Sequence, residues 1–165
     1  MLQPTELLNA NILIVDDQES NVLLLEQLLS DSGYTNLSST MKPTEVCGLH
    51  IEHNFDLILL DVQMPEMDGF QVMEGLKAIM GDSYLPVMVL TAQPIHKINA
   101  LKAGAKDVIS KPFDLTEVRT RIYNMLEVRL LFKQRCECNQ VLQENLRLKT
   151  AELHVSEARC SRLSA

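Results

Sequence analysis

Asp56-Leu57-Ile58-Leu59-Leu60-Asp61-Val62-Gln63-Met64-Pro65-Glu66-Met67-Asp68-Gly69 is the stretch on which the fold turns. Its apolar run, Leu57 to Leu60, is too short for a helix and lacks the alternation of a half-wet strand. It reads as a strand, Asp56 to Leu60, covered on both faces. An acid, Asp61, stands at the end of that strand. Beyond it, Asp68 with Gln71 resembles a capping box opening a helix through about Met80. The local unit is therefore strand, acid, loop, helix.

The same unit recurs on either side. Asn11 to Val15 is a short apolar strand. Ser20 is expected to cap a helix with an apolar face of Val22, Leu25, Leu28 and Leu29, ending at Gly33. Thr35 to Ser39 is a more polar strand, placed at an edge, and Thr44 to His53 reads as a second helix. Pro86 to Leu90 is the next strand. Pro94 sits in the first turn of a helix that stops before Gly104. Asp107 to Ser110 is the fifth strand, and Asp114 with Glu117 opens the last helix. Five strands alternating with five helices imply parallel pairing, because every crossover is a helix. The fold class is α/β, a doubly wound five-stranded parallel sheet. In such sheets function gathers at the carboxyl ends of the strands.

Those ends carry Asp16-Asp17, Asp61, Thr91 and Lys111-Pro112. Three carboxylates at close quarters repel one another, and burying them unpaired is costly. Lys111 supplies one positive charge, too few for three acids. A hard divalent cation is the natural remainder, and Mg²⁺ suits an all-oxygen site. An acidic pair at one strand end could serve only as a helix cap. Matching signals at three further strand ends weigh against that.

Asp16-Asp17, the segment Asp61 to Gly69, Thr91-Ala92, Gly104-Ala105 and Lys111-Pro112-Phe113 together resemble the receiver domain of two-component response regulators. The resemblance covers roughly residues 10 to 124, with the five signals in order. It implies the flavodoxin-like strand order 2-1-3-4-5. It also implies Asp61 as phosphoacceptor, assisted by Thr91 and Lys111. Mg²⁺ would be held by Asp17, Asp61 and the backbone carbonyl of Gln63, with Asp16 acting mainly through metal-bound water. The chain would be a signalling phosphoacceptor, not an enzyme in its own right, and a sensor histidine kinase would be its partner. The Lys111-Pro112 bond is cis in similar proteins. One position departs: Val108 stands where receivers usually carry Tyr or Phe, so the familiar coupling of Thr91 to an aromatic ring is not expected.

A flavin-mononucleotide binder of similar fold would want a Ser/Thr/Gly-rich loop where this chain has Asp16-Asp17-Gln18. A haloacid dehalogenase phosphatase needs Asp-x-Asp, and here Gln18 occupies the second acid's place. His50 and His53 read as solvated surface, and Cys136 and Cys138 point to different helix faces, against a zinc site. The methionines between Met64 and Met80 read as loop anchors and helix core.

The chain has 165 residues, 46% of them hydrophobic and 22% charged, with a formal net charge of −7. That is one domain with chain to spare, neither disordered nor collagen-like. No apolar run is long enough for a bilayer and no secretory signal opens the chain, so no membrane partner is expected. The acidic balance disfavours direct nucleic-acid binding. Cys47, Cys136, Cys138 and Cys160 show no disulfide or zinc spacing, consistent with reduced thiols and a cytoplasmic location.

Residues 1–124 carry 17 acidic and 8 basic side chains, whereas residues 125–165 carry 5 and 7. The shift suggests a tail at 1–10, a receiver at 11–124 and a helical coiled-coil linker at 125–165. From Asp114 onward there is no Gly or Pro. Heptads counted from Met125 place Met125, Phe132, Asn139, Leu146, Leu153 and Cys160 at a. Val128, Arg135, Leu142, Lys149, Ser156 and Leu163 fall at d, an imperfect seam. A helix from 114 to 163 would run roughly 75 Å, which a small domain cannot cover. A homodimer through this helix is expected, relaying to an output module absent from this chain. Residues 146–163 resemble linkers leading into such modules, as in a fragment of a longer protein. A different class of reading is an adaptor whose coil binds another protein. A mass independent of phosphorylation would favour it.

Overall fold

The computed structural model describes residues 4–81 and 83–164. Each apolar run becomes a strand: β1 Asn11–Val15, β2 Asn36–Thr40, β3 Leu57–Asp61, β4 Val87–Thr91 and β5 Asp107–Ser110. They form one sheet in the order β2-β1-β3-β4-β5, with every pair parallel. The polar strand β2 is at an edge, as its composition suggests. All five residues of β3 and of β4 are buried.

The helices are α1 Pro4–Leu8, α2 Glu19–Asp31, α3 Val46–His53, α4 Gly69–Met80, α5 Ile95–Ala103 and α6 Leu115–Leu163. Strand side chains alternate between two cores. Ile12, Ile14, Leu57, Leu59, Met88 and Leu90 meet α2 and the start of α6. Leu13, Val15, Ile58, Leu60, Val87 and Val89 meet α3, α4 and α5. Helices therefore cover both faces, and the near-continuous apolar strands follow from that double burial.

Several local readings hold in detail. Asp68 and Gln71 make a full capping box at α4. Gly104 ends α5 at φ +110. Asp114 accepts from the Glu117 backbone N–H at 2.9 Å, although Glu117 turns to Arg121 instead of completing the box. Met64 and Met73 are buried, as anchors should be.

Other readings need correction. Ser20 does not cap α2. The helix begins at Glu19 with Gln18 as its N-cap and no side-chain cap bond, because Asp16 already holds the Gln18 N–H at 2.9 Å. Thr44 and Glu45 belong to a short 3-10 turn, Pro43–Glu45, ahead of α3. His50 is half-buried instead of fully solvated. Its Nδ1 accepts from the Phe55 N–H at 3.2 Å, which fastens the turn after α3. Within the segment read as a tail, residues 4–8 form α1, and Leu7 is buried in the core. Residues 1–3 lie outside the described residues.

Packing on the core continues past Met125. Leu126, Arg129 and Leu130 are buried, and the first compact unit ends at Leu130. The second unit is the remainder of α6, from Leu131. Val141, Leu142, Leu146, Leu148, Leu153 and Val155 are all exposed on it. No helix among the described residues is long and apolar enough to cross a membrane.

Candidate functional site

Three parallel strands deliver acids and a hydroxyl to one end of the sheet. Asp16 follows β1, Asp61 is the last residue of β3 and Thr91 the last of β4. Lys111 follows β5, and its backbone N–H donates to the Thr91 carbonyl at 2.8 Å. The Lys111–Pro112 peptide is cis.

The Lys111 ammonium bridges two of the acids. Nζ lies 2.8 Å from Asp16 Oδ2 and 3.0 Å from Asp61 Oδ2. Asp16 is fully buried and heavily satisfied. It also accepts from Gln18 N–H and twice from Asn21 Nδ2 at 3.1 Å. Asp61 Oδ1 accepts from the Gln63 N–H at 3.1 Å. Burial pushes the Asp61 carboxyl above its ordinary value, while the Gln63 N–H and Lys111 pull it back. Burial also opposes the Lys111 charge, but hydrogen bonds to Asp16 and Asp61 outweigh it and raise the ammonium's pKa.

Asp17 completes the cluster and is the exception in it. Its Oδ1 is buried and accepts no hydrogen bond. One oxygen from each of Asp16, Asp17 and Asp61 lies within 4.8 Å of the others. A buried carboxylate oxygen without a donor is costly, and one ammonium cannot neutralise three acids. The donor set is all oxygen, as a hard divalent cation requires. The residues therefore fit Mg²⁺.

Gln63 is exposed, and its backbone is fixed by the Asp61 contact described above. Thr91 is fully buried. Its hydroxyl accepts from the Gln93 N–H at 3.2 Å and makes only a long 3.4 Å contact to the Gln93 carbonyl. Its proton is available for a better acceptor. Asp16, Asp17, Asp61 and Lys111 are brought together, and Thr91 ends the strand beside the one that ends in Asp61.

Two residues have roles at the site that were not read from the sequence. Asn21 orients Asp16 from the first turns of α2. An amide five residues after an acid, on the following helix, is the weak signal that could have found it. Gly69 is the second. A Cβ there would stand 2.7 Å from the Asp61 carbonyl oxygen and 2.9 Å from Val62 Cα. The start of α4 is pressed against the strand end that carries Asp61, and the Gly69 N–H donates to the Val62 carbonyl at 3.0 Å. Val108, in place of the expected aromatic, packs against the core under α3 to α5.

Comparison with known proteins agrees with this geometry. The model of the response regulator receiver domain matches residues 12–123. Response regulator PleD of Caulobacter vibrioides is 35% identical over 129 residues, which are 77% of this chain and 28% of that protein. The chain thus spans well under half the length of that relative. Among solved structures, the receiver domain of a signal transduction histidine kinase from Syntrophus aciditrophicus aligns with a TM-score of 0.65 at 30% identity, covering 72% of this chain and 90% of that one. The receiver domain of a sensor histidine kinase from Pseudomonas aeruginosa, which holds a magnesium ion in its active-site cleft, has a TM-score of 0.66 at 24% identity, covering 72% and 98%. This chain belongs to the response regulator receiver domain family, the signalling phosphoacceptors of two-component systems.

Proposed function

We propose that Asp61 is the phosphoacceptor, taking a phosphoryl group from a sensor histidine kinase. Its carboxylate oxygen forms a P–O bond as the P–N bond to the kinase histidine breaks and the imidazole leaves. The observation that carries this reading is the cluster of Asp16, Asp17 and Asp61 carboxylates, with Lys111 bridging Asp16 and Asp61 and the buried Oδ1 of Asp17 left bare. Asp16, Asp17, Asp61 and the Gln63 backbone carbonyl would hold Mg²⁺, with Asp16 acting mainly through metal-bound water. When bound, that ion supplies positive charge opposite the transferred group's oxygens.

The remaining roles belong to side chains. Lys111 holds Asp61 in place before transfer and neutralises a phosphoryl oxygen after it. The Thr91 hydroxyl exchanges its long contact to Gln93 for a hydrogen bond to a phosphoryl oxygen. Ala92, next in the chain, is exposed and small, so it leaves that approach open.

The working division is a receiver at 11–124 and a linker at 125–165, with Met125 to Leu130 of the linker still packed on the receiver. The linker forms a homodimer through its helix and relays the state of Asp61 toward an output module. Exposed Leu142, Leu146, Leu153 and Leu163 support pairing, since a long solvated helix gains most of its stability from packing.

The test is incorporation of label from a radiolabelled acyl phosphate in the presence of Mg²⁺. The wild-type chain takes up label and Asp61→Asn does not. Label retained by Asp61→Asn would overturn the assignment.

A further inference from the structure

Arg129 stands apart from the site and is unusual in itself. It lies in the part of α6 that packs on the receiver and is 7% exposed. Its Nη1 donates to the Tyr84 carbonyl, and its Nε lies 3.5 Å from Asp56 Oδ1. Asp56 is buried as well and is locked to β1. Its N–H donates to the Asn11 carbonyl at 2.7 Å, and its Oδ2 accepts from the Asn11 N–H at 3.2 Å.

The two anchors occupy matching places. Asp56 is the residue before β3, and Tyr84 comes three residues before β4. Those strands end in Asp61 and Thr91. One guanidinium on α6 therefore bonds the Tyr84 carbonyl ahead of β4 and lies within ion-pair range of Asp56 ahead of β3, the two strands whose tips carry the candidate phosphoacceptor and its hydroxyl. Each strand is five buried residues, a stiff rod of about 17 Å at 3.3 Å per residue.

A buried ion pair is weak support for stability, because apolar packing of the same volume does as well or better. What it supplies is a defined position. The planar fork of an arginine fixes direction in a way that a leucine does not.

We propose that Arg129 is the positioning residue through which a shift of β3 and β4 at the site is passed to α6. This rests on Asp61 being the phosphoacceptor. A change that moves the tips of two rigid strands also moves their roots, and Arg129 carries that movement into the helix leading to the linker.

The test uses the full chain with Mg²⁺ and beryllofluoride, a phosphoryl analogue, read by amide hydrogen exchange. In the wild type, exchange is expected to change at 54–57, at 84–87 and at 122–130 of α6. In Arg129→Met the change at 122–130 is lost, while labelling of Asp61 by acyl phosphate persists. Arg129→Met alone leaves Asp56 buried without its cation, so Arg129→Met with Asp56→Asn serves where the single variant does not fold. The proposal is overturned if either folded variant keeps the wild-type response in α6. It is equally overturned if the labelled wild type shows no change at 54–57 and 84–87, a result that needs no variant. Absence of label in the wild type is a different failure. It removes the phosphoacceptor reading, and the relay with it.

Discussion

Replacing Gly69 by alanine isolates the contact that ties α4 to the phosphoacceptor. The backbone of Gly69 is not left-handed, so alanine meets no torsional objection. At an ordinary position in the first turn of a helix the change would stabilise by up to roughly 1 kcal/mol. Here the new methyl stands 2.7 Å from the Asp61 carbonyl oxygen, 2.9 Å from Val62 Cα and 3.4 Å from the Asp61 carbonyl carbon. Favourable carbon contacts begin near 3.5 Å, so about half an ångström must be found. All three atoms are backbone at the end of a fully buried strand, with no flexible side chain to yield. Overpacking of this kind costs about 1–3 kcal/mol, which outweighs the helix gain and displaces Asp61. The assay is urea denaturation together with the rate of acyl-phosphate labelling. Gly69→Ala is expected to lower the midpoint and slow labelling. Gly48→Ala is the control, since a Cβ there meets nothing within 4 Å; in the middle of α3 it should stabilise by about 0.5–1 kcal/mol. A Gly69→Ala protein as stable as the wild type, with unchanged labelling, would refute the steric reasoning.

Three further outcomes are expected. Mg²⁺ should raise the stability of the wild type, by about 2.7 kcal/mol at a hundredfold excess over its dissociation constant. Asp17→Asn should lose most of that increment in thermal melts, and an undiminished increment would remove Asp17 from the metal site. Burial, and after it Arg129, hold the His50 imidazole below its usual pKa, with Asp56 opposing them. As pH falls through about 6.5 the unfolded chain takes up the proton first, so stability falls across that window. His50→Asn keeps an acceptor for the Phe55 N–H but does not titrate. Its denaturation midpoint should fall less between neutral and mildly acid buffer, and equal losses would count against the linkage. Leu146→Lys with Leu153→Lys should convert a dimer to a monomer by light scattering, and an unchanged mass would exclude pairing through that face.

The strands were legible because double burial forces near-continuous apolar runs such as Leu57 to Leu60. The site was legible because a parallel sheet sends every strand end to the same edge, so Asp16, Asp61, Thr91 and Lys111 had to meet. What the chain pattern hid were contacts set by three-dimensional approach. Ser20 fits the composition of a cap, but the Gln18 N–H is taken by Asp16, and the cap falls two residues earlier, at Gln18. His50 looks like surface until the turn at Asn54, with φ 52, brings the Phe55 N–H back to its ring. Leu7 in a five-residue helix gives too short a pattern to betray its burial. Arg129 falls on a stretch that reads as linker, because nothing local announces Asp56 and Tyr84 as partners. Gly69 was visible as a letter, but its cause, the closeness of α4 to the Asp61 carbonyl, belongs to the fold alone.

The most direct measurement is the chemical location of the phosphoryl group. The wild-type chain is treated with acyl phosphate and Mg²⁺, reduced with borohydride, digested and mapped by mass spectrometry. Reduction converts an aspartyl phosphate to homoserine. The expected result is homoserine at position 61 alone, dependent on Mg²⁺ and absent when Mg²⁺ is chelated. Homoserine at another aspartate, or none anywhere in a folded protein, would contradict the assignment of Asp61.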